Sequence, residues 1–255
     1  REVDDESTLY NEAGTEAVHI KFTIPDESVI AMISAATGGA VPAQAKPVEG
    51  WPVLIFQHGL GQSNDNALLI ASALAMAGYA TAAIDHPLHG ARTITVAEVT
   101  YDSGDFFPAT SQLTSRDHGR QSIADIMAFR LALNAINDST GLVDLNTSEV
   151  HFMGQSLGAI YGTGSVALAN KSLAGDLAAF DSMYAFKTAN INVPTGGVGA
   201  STFESAFFGP IIKGQLLVAS SPEFVEFLTA FAMQNGIPAE AAIGPAYLAF
   251  EQVIT

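Results

Sequence analysis

Three short apolar runs recur along the chain, and each stands next to a stretch with helical signals. "VLIF" covers residues 53–56, "YATAAIDHP" contains the second run, and "EVHFMGQS" the third. A continuous apolar run of this length fits a strand covered on both faces, as in a parallel sheet. "NDNALLIASALAMAGYA" follows the first run and offers Asn64 or Asp65 as a helix cap and Gly78 as its stop. "SRDHGRQSIADIMAFRLALNAIND" precedes the third, with a broad apolar face (Ile123, Ile126, Met127, Phe129, Leu131, Leu133) and charges grouped near its start. "LGAIYGTGSVALAN" reads as the helix after it, and "AFKTANINVP" as a fourth strand of the set. "VHIKFTI", residues 18–24, alternates apolar and polar positions like a half-buried strand. Strands alternating with helices predict an α/β fold, a mostly parallel sheet with helices on both faces.

The pattern changes after Gly197. "STFESAFFGPIIKG", "SPEFVEFLTAFAMQNG" and "PAEAAIGPAYLAFEQVIT" read as amphipathic helices, and no strand is evident among them. The expected organisation is an incomplete α/β core over residues 1–200. Residues 201–255 would form a helical cap or lid of the same domain, above the carboxyl edge of the sheet where ligands bind. Residues 88–114 read as one long loop, of the kind that is functional or mobile.

The chain has 26 acidic against 10 basic residues, a formal net charge of -16. That balance argues against nucleic acid, whose phosphates need a basic footprint, and against adsorption to anionic headgroups. With no cysteine, disulfides, zinc–thiolate sites and a thiol nucleophile are excluded. The longest membrane-span candidate, residues 67–84, is broken by Ser72, Gly78, Tyr79 and Thr81. The polar start "REVDDESTLYNEAGTE" has no signal-peptide pattern and no initial Met, so the sequence reads as a processed or cloned piece.

Gly154-Gln155-Ser156-Leu157-Gly158 matches G-x-S-x-G. The bare pentapeptide is weak evidence, but a buried strand directly before it and a helix directly after it are the context its chemistry needs. Serine on a strained strand-to-helix turn stands clear of the sheet, and glycine two residues to either side lets helix and strand approach. The N–H of Leu157, in the first helical turn, is then a candidate oxyanion donor. The bland reading is an ordinary βα turn with a serine cap. "FQHGLGQS" ends the first buried strand and predicts the second oxyanion donor at Leu60, after His58 and Gly59, with His58 ordering the loop rather than acting as a base. Asp85, His86 and His89 in "AIDHPLHGAR" invite a metal reading, but no companion cluster at ligand spacing follows, so no metal site is expected. His151 lies five residues before Ser156 along the strand, roughly 16 Å away at 3.3 Å per residue, too far for a base.

"FQHGLG", "IDHPLHGAR", "SRDHGRQSIADI" and "HFMGQSLGAIYGT" together resemble the α/β-hydrolase superfamily, and within it bacterial extracellular, virulence-factor-type lipases and lysophospholipases. The resemblance covers roughly residues 51–197. It implies hydrolysis of carboxylic esters of lipids by a Ser-His-Asp triad without a cofactor, in a protein exported or held at the cell envelope. It also implies Ser156 as nucleophile and Leu60 and Leu157 as oxyanion donors. Gln155 stands where that branch usually has histidine.

In such hydrolases the triad histidine follows the serine, yet all six histidines here precede Ser156. Three readings compete. The sequence stops before the last strands, so that the triad acid and histidine lie beyond Thr255; this reading is preferred. An upstream histidine (His86, His89 or His118) serves instead. Or the protein is a binding module that kept the elbow and lost catalysis. A thioesterase or peptidase of the same fold is a further alternative. The expected partners are a small lipid or ester substrate and a lipid surface, and a dimer if truncation leaves a sheet edge open. Phe203, Phe207, Phe208, Ile211, Ile212, Phe224, Phe227, Leu228 and Phe231 are expected to line an acyl pocket or lid, or to pack as plain core.

Overall fold

A computed structural model describes residues 17–108, 111–136 and 143–254. The polar start and the expected end of the long helix near Asp138 lie outside the described residues. The chain divides into two compact units, Arg1–Phe106 with Leu113–Pro194, and Phe107–Gln112 with Thr195–Thr255.

The first unit holds β1 (Ile20–Thr23), α1 (Glu27–Ala36), β2 (Trp51–Gln57), α2 (Leu68–Met76), β3 (Ala80–Ile84), β4 (Ile94–Val96), β5 (Val99–Tyr101), α3 (Gln112–Ala132, its first residue in the other unit), β6 (Leu145–Gln155), α4 (Leu157–Ala169), α5 (Asp181–Tyr184) and β7 (Ala189–Asn192). Five strands form one sheet in the order β1-β3-β2-β6-β7. β3, β2, β6 and β7 run parallel, and β1 closes one edge antiparallel to β3. This is the expected mostly parallel α/β sheet.

The period of two along the strands assigns the faces. Val53 and Ile55 of β2, Ala82 and Ile84 of β3, and Val150 and Phe152 of β6 pack with Ile126, Phe129 and Leu133 of α3 and Ala169 of α4. Phe56 and Ala83 point the other way and meet Ala67 and Ile70 at the start of α2. Helices therefore cover both faces, which is why the central strands carry continuous apolar runs instead of alternation.

Register slips once. Pro52 pairs with Asn146 but Val53 with Val150, so residues 147–149 of β6 have no partner in β2. Buried Arg130 takes up part of this irregularity: Nη2 donates to Thr147 O (3.0 Å) and Ser182 O (3.3 Å), and Nε to Ala185 O (2.9 Å). Burial pulls its pKa down to about 10, so the guanidinium stays charged at neutral pH, held by carbonyl dipoles.

Two local expectations are corrected. The cap before α2 is Ser63, not Asn64 or Asp65. Its side chain accepts the Asp65 N–H while Asn66 Oδ1 accepts the Ser63 N–H (3.1 Å), and a 3-10 turn (Asn64–Ala67) leads into the helix. Residues 88–114 are not one irregular loop: β4 and β5 form a hairpin, turning at Ala97 and Glu98, both with positive φ.

The second unit is helical throughout its described elements, α6 (Val198–Glu204), α7 (Phe208–Ser220), α8 (Pro222–Asn235) and α9 (Ala239–Ile254). Ser221 caps α8, with Pro222 at its first position and left-handed Gly236 ending it. Phe224, Leu228, Ala232, Ala242 and Ala246 form its core, with Phe227 and Phe231 packed against it. Those aromatics are core packing, whereas Phe203, Phe207 and Phe208 are exposed. No described helix is long and apolar enough to cross a membrane.

Candidate active site

Strand order fixes where a site can form. The chain goes from β2 to β3 on one side, then crosses back to place β6 on the other side of β2. The carboxyl ends of β2 and β6 thus flank the topological switch point, the usual ligand crevice of an open α/β sheet. Gln57 pairs with Gly154, so the residues that follow each strand, His58-Gly59 and Gln155-Ser156, emerge side by side.

Ser156 sits between β6 and α4 with φ 52° and ψ -114°, a positive φ outside the regions a non-glycine residue prefers. Its N–H donates to Asn192 O of β7 (3.0 Å), and its carbonyl accepts from Ala159 and Ile160 (2.9 Å each), which pins the bend from both sides. The side chain is half-buried, and its Oγ has no hydrogen-bond partner among the described residues. Two glycines permit the geometry. A Cβ on Gly154 would overlap the Gly158 carbonyl, and a Cβ on Gly158 would overlap the Gln57 carbonyl of β2. Leu157 opens α4, so its N–H belongs to the first turn, which has no intrahelical acceptor.

The loop after β2 lies against this bend: a Cβ on Gly59 would stand 3.2 Å from Ser156 Cβ. Gly59 N–H is taken by Gln62 Oε1 (2.8 Å). Gly59 O is held by the His58 ring Nδ1 (2.8 Å) and by Gln62 N–H (3.2 Å). In a trans peptide the next N–H points opposite to that carbonyl. The Leu60 N–H is therefore aimed away from His58 and Gln62, and it takes no part in their bonds.

His58 is locked in one tautomer. The backbone N–H of His86 donates to its Nε2 (3.1 Å), so Nε2 carries the lone pair and Nδ1 the proton given to Gly59 O. Burial pushes its pKa down to about 4. Its 3.6 Å approach to Asp85 Oδ1 is thus a contact of a neutral ring. Asp85 ties the loop after β3 to the start of α2: Oδ1 accepts Asn64 N–H (2.6 Å) and Oδ2 accepts Ala91 N–H (3.0 Å). Arg92 reaches Asp85 O (3.1 Å) and Asp125 Oδ2 (2.6 Å).

His86 and His89 complete a cluster with His58, ring centroids 4.8 to 5.8 Å apart, walled by Phe106. Tyr161 of α4 also stands beside His86. Burial lowers both histidine pKa values and pushes Tyr161 up to about 12. His89 Nδ1 pairs with Pro87 O (2.8 Å), while Nε2 of each of these two rings is buried without a partner. Among the described residues, no three His, Asp or Glu side chains converge as a metal site would need. His118 pairs through Nδ1 with Phe106 O (2.9 Å), and His151, on β6, with Thr188 Oγ1 (2.9 Å). None of the described histidines hydrogen-bonds Ser156. Sequence reasoning missed Gln62, which holds both the N–H and the C=O of Gly59; its only signal was a polar side chain three residues after Gly59.

The family model that matches is platelet-activating factor acetylhydrolase, isoform II, over residues 28–114. That stretch contains the His58–Leu60 loop and the His86–His89 turn but not Ser156. No curated protein matches. Solved structures similar to this chain include the 2,6-dihydroxy-pseudo-oxynicotine hydrolase (18 % identity, 58 % of this chain and 29 % of that one, TM-score 0.31). A ferulic acid esterase from Streptomyces cinnamoneus matches at 16 % identity over 61 % of this chain and 49 % of its own, TM-score 0.38. An inhibited esterase B from Lactobacillus rhamnosis matches at 11 % identity over 81 % and 59 %, TM-score 0.37. The chain spans less than two thirds of the length of each of these three proteins.

Proposed function

Starting from the mostly parallel α/β sheet of this chain, we propose a serine ester hydrolase of the α/β-hydrolase superfamily, of the esterase or lipase kind, with Ser156 as nucleophile. The observation that carries this reading is the strained bend at Ser156, whose unbonded hydroxyl stands at the switch point of the sheet. Oγ attacks the ester carbonyl, its proton passes to a base, and the new oxyanion accepts from the N–H groups of Leu60 and Leu157. Each donor in such a hole is worth about 3–4 kcal/mol of transition-state stabilisation. The alcohol leaves, and water then releases the acyl group from Ser156. Gly154, Gln155, Gly158, His58 and Gly59 shape the site without reacting. The base is not assigned to His58, whose two ring nitrogens are both engaged. Lipid esters are the proposed substrates, on the resemblance of the sequence motifs, and a location outside the cell or at its envelope goes with them.

A fluorophosphonate probe tests this directly. The chain should label on one serine, and Ser156→Ala should abolish both labelling and hydrolysis of a short-chain nitrophenyl ester. Turnover is expected to be slow, since no described histidine hydrogen-bonds Ser156 and an incomplete triad keeps only roughly 10³–10⁴-fold acceleration over water. Labelling that survives Ser156→Ala overturns the assignment. A chain that neither labels nor turns over favours the rival reading, a binding module with the same elbow.

A further inference from the structure

α3 is apolar on two opposite sides. Ile126, Phe129 and Leu133 face the sheet. On the outer side, Ala124, Met127, Ala128, Leu131, Ala132 and Ala135 carry no charge over three turns. An apolar stripe of this length on a second side of a helix is normally covered. Here the outer side floors a groove of about 990 Å³, walled by Leu168, Leu173, Leu177, Phe180, Met183 and Tyr184. Leu168, Leu177 and Phe180 are 50 %, 58 % and 44 % exposed, an unusual concentration for large apolar side chains. The groove lies at the far end of α4 from Ser156, some 12 residues and about 18 Å along the helix, so it is not the acyl pocket of the candidate active site.

We propose that this groove binds the hydrocarbon chain of a single-chain anionic amphiphile, a long-chain fatty acid being the simplest, with its carboxylate at Lys171. The volume is in the range of small-ligand sites, and its lining is the apolar kind they use. Among the described residues, Lys171 and Asp181 are its only charged lining residues. Asp181 is spent on the Leu173 N–H (2.9 Å) and lies at the first turn of α5. Lys171 is exposed and has no carboxylate partner among the described residues, unlike Lys21, Lys46 and Lys187, which are paired with Asp65, Asp144 and Glu149. The groove walls are helices and turns rather than a strand edge, so an extended peptide would find few partners for its backbone, while a hydrocarbon chain needs none.

The test is calorimetric titration with laurate, dodecanol and dodecyltrimethylammonium below their aggregation thresholds. Laurate should bind saturably and more tightly than the cationic probe. Lys171→Glu should weaken laurate about fivefold while leaving dodecanol unchanged, the size expected for one exposed charge contact. Ala128→Trp, which fills the floor at an exposed position, should abolish binding of both, and Leu177→Asp should do the same from the opposite wall. Ser156→Ala should leave all three titrations unaltered, which separates this inference from the hydrolase reading. Absence of saturable laurate binding, equal binding of the anionic and cationic probes, or insensitivity to Ala128→Trp and Leu177→Asp overturns it. So does a concentration-dependent dimer in light scattering that Ala128→Trp dissolves.

Discussion

The bend after β6 and the loops after β2 and β3 meet at one edge of the sheet, built on opposite plans. The loops are tied down at three side chains. His58 spends both ring nitrogens, Asp85 both oxygens, and Gln62 holds both the N–H and the C=O of Gly59, while His86 and His89 each keep a buried Nε2 without a partner among the described residues. The bend is strained, and its side-chain oxygen is left unbonded. One set of polar groups holds shape; the other group is held ready. Buried polar side chains at such an edge are therefore poor markers of chemistry until their bonds are counted, since three histidines near the site are neutral fixtures.

The largest expected effect breaks the seat on which both plans rest. Gly158→Ala drives a Cβ into the Gln57 carbonyl and should cost about 3 kcal/mol or more in urea unfolding. Acid should act on the tied-down side only. His58 titrates ordinarily near 6.5 but near 4 when folded, so the unfolded chain binds more protons between those values. Its contribution is fully present above pH 6.5 and is lost as pH falls toward 4, roughly 3 kcal/mol for a shift of this size. His86 and His89, also lowered, steepen the same slope. Unfolding midpoints measured from pH 7 to 4.5 should show the loss, and His58→Asn should flatten it; a flat wild-type profile would mean the ring is not neutral. Next in size, His58→Ala should destabilise by about 2 kcal/mol through two lost hydrogen bonds and a void. The smallest effect has the opposite sign. Ser156→Gly should stabilise by about 1 kcal/mol by releasing the positive-φ strain, while removing the hydroxyl. If His58→Ala and Ser156→Gly shift thermal unfolding in the same direction, the contrast between the two plans fails.

Much of this was legible in the sequence because the central strands are buried on two faces. "VLIF", "ATAAI" and "VHFM" are β2, β3 and part of β6, and "GQSLG" falls at the bend. The hairpin β4–β5 was not legible. Its turn residues, Ala97 and Glu98, adopt positive φ (48° and 69°), where sequences usually advertise the turn with Asn or Gly. The Ser63 cap was masked by two better-known capping residues directly after it. The direction of β1 and the bond from the His86 N–H to the His58 ring depend on pairings distant in sequence, which no local pattern encodes.

The glycine that rests on the Gln57 peptide has a geometric corollary. The height of the serine above the sheet is gauged by a neighbouring strand, not by its own. Inserting one residue into β2 would slide a different peptide beneath α4 and turn that strand's side chains inside out. Drift in the adjacent strand would thus silence the hydroxyl without altering any atom of its own turn.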